Sequence, residues 1–369
     1  MNELRHALRL FWSSRTVSLT IVVTLALAIG GTSAIFSVLD AVVLSALPFP
    51  QRDRLVVVWE RNPRLQLGFE DIPVSAYNFT QWRRRATTLD TLSALVGTHL
   101  HLTGNDDPER VGAVRVSASF FALTGVTPLL GRVFGPADDD ARASGVVVLS
   151  HRLWSRRFSS DPAALGRVLH LDGRSYTVVG VMPPHFSFPS GSQLPIHVRL
   201  PAETDLWLPL ALTPEQIDDR GSHDLAVLAR MAPGVSLAQA RAEMDVIAHR
   251  LEEEHPGLTW WAAGIVPLQD QVVGHGRPVA LFLFAAVCLV LVAACANVAN
   301  VVLARSVSRR RELALRHALG AGRWQILRQY VTENLVVAGA GGALGILVAA
   351  AAVRFLVVSA PLAVPGLRD

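Results

Sequence analysis

Residues 304–333 read ARSVSRRRELALRHALGAGRWQILRQYVTE and carry seven arginines against two acids. Two long apolar runs flank this segment, residues 279–302 before it and residues 335–358 after it. A bilayer core of about 30 Å is crossed by about 20 apolar helical residues, and both runs reach that length. Short basic loops stay on the cytoplasmic side of a membrane. We therefore expect a cytoplasmic helical segment between two transmembrane helices.

A third apolar run, residues 17–39, follows a short amphipathic lead-in that contains Arg5, Arg9 and Arg15. The run is longer than the apolar region of a cleaved signal peptide, and it is long enough to cross a bilayer as a helix. It therefore predicts an uncleaved signal anchor that starts in the cytoplasm. The chain then leaves the membrane outward, so residues 46–276 are expected outside the cytoplasm.

Composition agrees with this division into membrane and outer parts. Apolar residues make up 51% of the 369 residues and the mean hydropathy is +0.36. The basic residues gather beside the apolar runs, whereas a nucleic-acid-binding protein concentrates them on a folded face. We therefore expect these basic residues to contact membrane lipids, and we expect no nucleic acid to bind to the chain.

The 34 basic residues are all arginine. A Walker A loop needs a lysine to reach the β- and γ-phosphates of ATP. The sequence of 369 residues therefore contains no P-loop, and we expect a separate chain to hydrolyse any ATP that drives this protein. We expect no cofactor on the present chain.

Residues 46–276 predict a mixed α+β domain with an inserted subdomain at about residues 125–213. Asp172-Gly173 supplies the positive φ angles of a hairpin turn, and Ser236-x-x-Gln239 has the spacing of a capping box ahead of a helix. Ser119 is expected to cap a short helix. Strand–helix–strand order near each end of the domain predicts two similar halves on either side of the insert.

No residue pattern predicts a catalytic or metal site. His-Glu-x-x-His, Cys-x-x-Cys and Gly-x-Ser-x-Gly are all absent from the sequence. His249 and Glu253 are read as one exposed helical face, and His99 and His101 as one solvent face of a strand. Asp138-Asp139-Asp140 is read as a solvated turn in preference to a cation site. We therefore expect this chain not to be an enzyme.

Small and amide side chains within the apolar runs predict helix packing. Gly30 and Gly31 belong to a small-residue patch in the first run, and Gly341-x-x-x-Gly345 lies in the third. Asn297 and Asn300 are expected to hydrogen-bond a neighbouring helix; contact with a substrate is the alternative. These six residues are the candidate packing sites.

The arginine-rich segment allows two interpretations. It is helical by composition up to Gly320-Ala321-Gly322, where glycine favours a helix end. It is either the docking site of a cytoplasmic partner or a basic anchor lying on anionic headgroups. Its position between two transmembrane runs favours docking.

Several motifs together resemble the MacB/FtsX family of ABC transporter permeases, closest to its duplicated orphan permease branch. The resemblance covers residues 1–358. It rests first on Asn297-x-x-Asn300 followed by Arg309-Arg310-x-Glu312-Leu313-Ala314-Leu315-Arg316. Further matches are Phe36–Asp40 with Pro48-Phe49-Pro50, Leu171-Asp172-Gly173, Gly180-Val181-Met182-Pro183, Asp205-Leu206-Trp207 and Pro233-Gly234-Val235.

The resemblance implies an α-helical membrane protein with a large α+β extracytoplasmic domain, made of a porter-like part with an inserted subdomain. It implies that a cytoplasmic ABC ATPase docks on the basic segment and moves the outer domain by mechanotransmission for export. The residues that match the family's coupling segment are Arg310, Arg311, Glu312, Leu313, Arg316, Ala318, Leu319 and Gly320. The alternative is an FtsX-like adaptor or sensor that signals to an outer partner without transport.

Taken together, these patterns predict a multi-pass protein of the bacterial inner membrane that ends after its third transmembrane helix, one helix short of the family pattern. A homodimer or a second permease module, and a periplasmic adaptor, are further expected partners. The predicted divisions are a cytoplasmic N-terminus (1–16), helix one (17–45), the outer domain (46–276), helix two (277–303), the coupling segment (304–333), helix three (334–358) and an outer tail (359–369).

Overall fold

The structure is a computed structural model that describes residues 15–39, 49–62, 71–103, 108–143, 145–184, 186–189, 194, 198, 200–255, 262–273, 277–308 and 323–359. It forms two compact units. The helical unit comprises Met1–Ser45 and His275–Asp369, and the sheet unit comprises Ala46–Gly274. The predicted N-terminal lead-in and the outer tail lie almost wholly outside the described residues.

Helices and strands are numbered in chain order over the described residues. The α-helices are α1 (Arg15–Leu39), α2 (Ala76–Arg85), α3 (Ser119–Thr124), α4 (His151–Phe158), α5 (Pro214–Asp218), α6 (Leu237–Glu254), α7 (Leu268–Val273), α8 (Arg277–Ser308) and α9 (Arg323–Ser359). The strands are β1 (Leu55–Arg61), β2 (Asp71–Ile72), β3 (Val74–Ser75), β4 (Leu89–Thr103), β5 (Glu109–Val116), β6 (Leu130–Gly131), β7 (Val146–Leu149), β8 (Val168–Leu171), β9 (Arg174–Val181), β10 (Leu206–Pro209), β11 (His223–Met231) and β12 (Ala262–Pro267).

Two strand–helix–strand repeats build one half of the sheet unit. β1 leads through α2 to β4, and β11 leads through α6 to β12. The four strands lie in the order β12–β1–β11–β4, and all neighbours are antiparallel. This is the split βαβ arrangement, in which each repeat contributes one inner and one outer strand. The prediction of two similar halves is confirmed.

The central strand β1 is buried on both faces because each face meets a different core. Val56 and Val58 point into a cluster with Phe79 and Trp82 of α2, together with the apolar side of α6. Val57 and Trp59 point the other way, into a cluster that contains Phe120, Phe121 and Trp207. Full burial of each large apolar side chain contributes about 1.5–3 kcal/mol. The two cores therefore hold the sheet between them without a disulfide.

Strands from the predicted insert extend the same sheet. β10 pairs in parallel with β5, with Leu206 opposite Ala113, and the order continues β10–β7–β9–β6. The proline-rich connection after β9 adds Phe186 and Phe188 to the core shared with β1. The inserted residues thus join the first part through hydrogen-bonded strands as well as through apolar contact.

Two of the three turn and helix-cap predictions made from the sequence are confirmed. Asp172 and Gly173 have φ angles of 46° and 77° between β8 and β9, as the hairpin requires. Ser236 and Gln239 form the expected capping box at the start of α6. Ser119 was expected to cap α3, and this is wrong: Ala118 occupies the cap, and the Ser119 hydroxyl donates to the Leu92 carbonyl at 2.7 Å. The neighbouring strand β4 offers that acceptor, which no local pattern reveals.

Candidate functional site

Three helices of the helical unit are long and apolar enough to cross a membrane. The apolar spans are Leu19–Ser37 in α1, Leu281–Ala304 in α8 and Asn334–Phe355 in α9. Their mean hydropathies are 2.1, 2.7 and 2.2, in the range typical of membrane-spanning helices. The structure therefore contains, at the three predicted positions, helices that are long and apolar enough to span a bilayer.

Glycines allow α1 and α9 to approach closely. A Cβ atom added to Gly30, Gly341 or Gly345 would press into the facing helix. It would lie 2.9 Å from Val348 Cγ1 at Gly30, 2.9 Å from Leu25 Cβ at Gly341 and 3.0 Å from Ile29 Cβ at Gly345. Real Cβ contacts are longer, so glycine is what permits this separation. The structure brings these three predicted packing residues together.

The other predicted packing residues lie elsewhere. A Cβ on Gly31 would meet no described atom within 4 Å. Asn297 and Asn300 are exposed on α8, although Ala294, one helical turn before Asn297, is buried. Within the described helices, these three residues do not take part in the packing predicted for them. The sequence shows that a small or amide residue lies in a span, but which way it faces depends on the neighbouring helices.

The helices of this unit alternate in direction. Leu25 faces Gly341, and Ile29, four residues later in α1, faces Gly345, four residues later in α9. The residue numbers of both helices therefore increase in the same direction, which means that α1 runs parallel to α9. The Phe36 ring near the end of α1 lies 6.1 Å from the Phe284 ring near the start of α8. Residues near the start of α1, Ile21 and Val22, instead pack near Val298, Val301 and Val302 toward the end of α8. The end of α8 and the start of α9 are therefore on the same side as the start of α1.

The predicted coupling residues, 310–320, lie outside the described residues. α8 ends at Ser308 and α9 begins at Arg323, so the segment is bounded by helix ends on one side of the unit. At the start of α9, Trp324 and Arg328 are exposed one helical turn apart. Tryptophan and arginine are both residues of membrane interfaces.

A buried carboxylate joins the two parts of the sheet unit. Asp205, 7% exposed at its side chain, precedes β10. It accepts the backbone N–H of Gly112 in β5 at 3.0 Å and a guanidinium N–H of Arg152 in α4 at 2.8 Å. Arg156 lies 3.7 Å from the same carboxylate and also pairs with Glu109. These contacts reinforce the parallel pairing through which the inserted strands meet the first part.

The Asp138–Asp140 turn is more ordered than the predicted solvated turn. Arg132 donates to both oxygens of Asp138, at 2.6 and 3.0 Å, and this hydrogen bond holds the pKa of Asp138 below its ordinary value despite partial burial. Asp139 accepts the backbone N–H groups of Ala118 at 3.1 Å and Ala211 at 2.9 Å. The turn thus satisfies backbone donors of two distant segments, which corrects the expectation of a solvent-facing loop.

Polar clusters in the described residues do not form a metal site. No group of three or more His, Cys, Asp or Glu side chains in that part of the chain has the arrangement that would hold an ion. His99 and His101 are exposed on β4, and His249 and Glu253 are exposed on α6, as predicted. The polar clusters of the sheet unit described above are ion pairs and carboxylates that accept backbone hydrogen bonds.

Two family models match the chain. The MacB-like periplasmic core domain matches residues 18–247, more than half of the 369 residues, and the FtsX-like permease C-terminal domain matches residues 284–367. Their order along the chain is that of the sheet unit followed by α8 and α9.

Relatives agree in the same region. The macrolide export ATP-binding/permease protein MacB of Escherichia coli strain K12 is 25% identical over 251 residues, which are 68% of this chain and 37% of that protein. The protein of the same name from Chromobacterium violaceum is 24% identical over 233 residues, 63% of this chain and 34% of that protein. This chain spans about a third of the length of these relatives.

The solved structures that match part of this chain include two extracytoplasmic domains. The periplasmic region of MacB from Actinobacillus actinomycetemcomitans has a TM-score of 0.41 at 14% identity and covers 59% of this chain and 90% of its own. The extracellular domain of the noncanonic ABC-type transporter YknZ from Gram-positive bacteria has a TM-score of 0.40 at 12% identity and covers 57% and 99%. On the strength of the family model that spans residues 18–247, the chain belongs to the MacB/FtsX-like family of ABC transporter permeases.

Proposed function

We propose that this permease couples ATP hydrolysis by a separate cytoplasmic ATPase to movement of an extracytoplasmic domain, and that this movement drives export by mechanotransmission. In this proposal the ATPase docks on residues 310–320, and the sheet unit is the part that moves. The names of the relatives combine ATP-binding with permease. The 369 residues contain no lysine and therefore no Walker A loop, so the proposal assigns ATP hydrolysis to another chain.

The direction of the three helices carries the proposal. The start of α1, the end of α8 and the start of α9 share one side, and Arg15, Arg305 and Arg323 lie at those three ends in the sequence. Arginines beside membrane spans favour the cytoplasmic side. This supports a cytoplasmic location for residues 309–322, where an ATPase has access.

The continuous sheet supports the mechanical part of the proposal. A domain that passes movement onward must resist deformation, and packed cores and hydrogen-bonded strands deform little. The inserted strands are joined to the split βαβ half by the β5–β10 pairing and by Asp205. The sheet unit is thus suited to move as one body.

The experiment exchanges the charges of the coupling segment. The double variant Glu312→Arg/Arg316→Glu reverses both charges that the ATPase would contact in this proposal. We expect the amount of ATPase that co-purifies with the permease from membranes to fall about tenfold, which corresponds to a loss of about 1.4 kcal/mol in binding free energy. ATPase activity measured in the membrane should lose its dependence on the permease. Insertion of the variant into membranes should be unchanged.

Arg305→Gln is the matched control because Arg305 belongs to the same basic segment but not to the coupling motif. If headgroup binding is all that the segment does, both variants will keep the ATPase, and the proposal is wrong. Mass spectrometry of the co-purified protein identifies the ATPase.

A further inference from the structure

Glu60, at the end of β1, is a carboxylate with no exposed surface. One oxygen, Oε1, accepts the backbone N–H of Ser75 at 2.8 Å, the Ser75 hydroxyl at 3.0 Å and the side-chain amide of Asn78 at 2.9 Å. Ser75 is also the N-cap of α2. A buried charge is costly unless it is paired and hydrogen-bonded. The three donors satisfy Oε1 and tie β1 to the first turn of α2.

The second oxygen of Glu60 meets a histidine. Nδ1 of His223, at the start of β11, lies 2.7 Å from Oε2 of Glu60, and the histidine side chain is 19% exposed. Asp219 and Asp224 add negative charge around the ring. Burial lowers the pKa of His223, but the hydrogen bond and charge of Glu60, with the two aspartates, outweigh burial and raise the pKa above its ordinary value.

His223 directly follows the connection that returns from the inserted strands to the split βαβ half. This connection, residues 210–222, contains α5, which packs against α2. The guanidinium of Arg220 lies over the ring of Tyr77 in α2, 4.6 Å from its centre. His223 also pairs with Ser75 across β11 and β3. The Glu60–His223 ion pair therefore lies at the point where the connection, α2 and β1 contact one another.

We propose that Glu60 and His223 form a proton-dependent latch that holds residues 210–222 against the start of α2. With His223 protonated, the imidazolium compensates the buried carboxylate. When His223 loses its proton, the ring no longer brings a positive charge to the buried carboxyl group of Glu60, and the connection opens more often. The latch thus makes the joint between the two parts of the sheet unit sensitive to the pH of its surroundings.

Linkage sets the direction of the effect. A histidine whose pKa is higher in the folded protein binds its proton more tightly there than in the open state. The added stability is fully present below the unfolded pKa of about 6.5 and is lost as pH rises through the folded pKa. Each unit of difference between the two pKa values changes the ratio of closed to open latch about tenfold.

The test uses the full chain in detergent micelles. Deuterium exchange at the imidazole C2 position, followed by mass spectrometry across a pH series, reports the pKa of each histidine, and we expect that of His223 to lie above about 6.5. Backbone exchange of peptides covering residues 210–222, corrected for the intrinsic pH dependence of exchange, should speed up several-fold as pH rises through that pKa.

Three variants separate the latch from a structural effect. His223→Gln and Glu60→Gln should abolish the pH dependence of exchange in residues 210–222, whereas His223→Lys, which keeps a positive charge, should keep the segment protected at both ends of the pH range. His249→Gln, at an exposed helical position, should behave as the wild type. Near-ultraviolet circular dichroism checks that each variant is folded.

The wild-type measurement stands alone if a variant does not fold. Constant protection of residues 210–222 across the pH range, an unchanged pH dependence in His223→Gln, or a His223 pKa at or below about 6.5 would each overturn the proposal.

Discussion

At the scale of single residues, carboxylates that accept several hydrogen bonds join neighbouring elements of the sheet unit. Glu243 in α6 accepts from the backbone N–H and hydroxyl groups of both Thr87 and Thr88, which precede β4. Burial raises the pKa of Glu243, but these hydrogen bonds outweigh it and the pKa lies below its ordinary value of 4.5. The ionised form of Glu243 is therefore the one that stabilises the fold.

Replacement of Glu243 by glutamine should destabilise the sheet unit by about 1–3 kcal/mol, since hydrogen bonds to a charged acceptor are lost. Because the folded pKa is lowered, this contribution is present above the unfolded pKa and is lost as pH falls through the folded pKa. Urea unfolding of the full chain, followed by tryptophan fluorescence, should show a large difference between wild type and variant at neutral pH and a smaller one in acid.

Glu253→Gln is the matched control for this measurement, because Glu253 lies on the exposed face of the same helix. Equal losses for the two variants would contradict the assignment of Glu243.

At the scale of elements, the contact between α1 and α9 depends on which glycines face it. Gly341 and Gly345 meet side chains of α1, whereas Gly342, in the same helix, has no described atom within 4 Å of an added Cβ. Helices in lipid gain little from the hydrophobic effect, so close packing is what holds them together. A side chain at the interface should therefore be far more damaging than one beside it.

Gly345→Leu should destabilise the helical unit by about 1–3 kcal/mol through overpacking, whereas Gly342→Leu should be close to neutral. Both substitutions add the same side chain to the same helix, so the gain in helix propensity cancels between them. Thermal unfolding in detergent measures the difference when it is followed by the reactivity of the partly buried Cys288 with a fluorescent maleimide, with the exposed Cys295 replaced by serine in both variants. Similar midpoints for the two variants would show that α1 and α9 do not pack through Gly345.

At the scale of the whole molecule, the arrangement across the membrane depends on where the arginines lie. The helices of the helical unit alternate in direction, and residues 309–322 connect two ends on the side where α1 begins. The basic residues near those ends favour the cytoplasm. The proposed topology therefore assigns the sheet unit to the extracytoplasmic side.

Single cysteines in a chain with Cys288 and Cys295 replaced by serine test this arrangement. Arg174→Cys, in the exposed hairpin of β9, should react with an impermeant maleimide added to intact spheroplasts, and His317→Cys should react only after the membrane is opened. Reaction of His317→Cys in intact spheroplasts would contradict the predicted topology and, with it, the proposed ATPase docking.

The sequence alone was enough for features that depend on neighbours along the chain. Apolar runs long enough to span a bilayer predicted α1, α8 and α9, and the Asp172-Gly173 and Ser236-x-x-Gln239 patterns predicted a turn and a helix start that the structure contains. The motifs of the basic segment indicated the family that the comparisons confirm. These signals are local because span length, turn geometry and capping involve only a few consecutive residues.

Features that bring distant residues together were decided by tertiary structure. Nothing near Ser119 in the chain shows that its hydroxyl meets Leu92, and nothing near Glu60 shows that it meets His223. Gly30 and Gly31 are neighbouring glycines in the same apolar run, yet Gly30 faces α9 and Gly31 does not. Hydropathy and helix or strand propensity indicate which environment and which backbone conformation a residue favours. The residue that pairs with a buried charge, and the helix that a glycine faces, depend instead on which elements pack together in the folded protein.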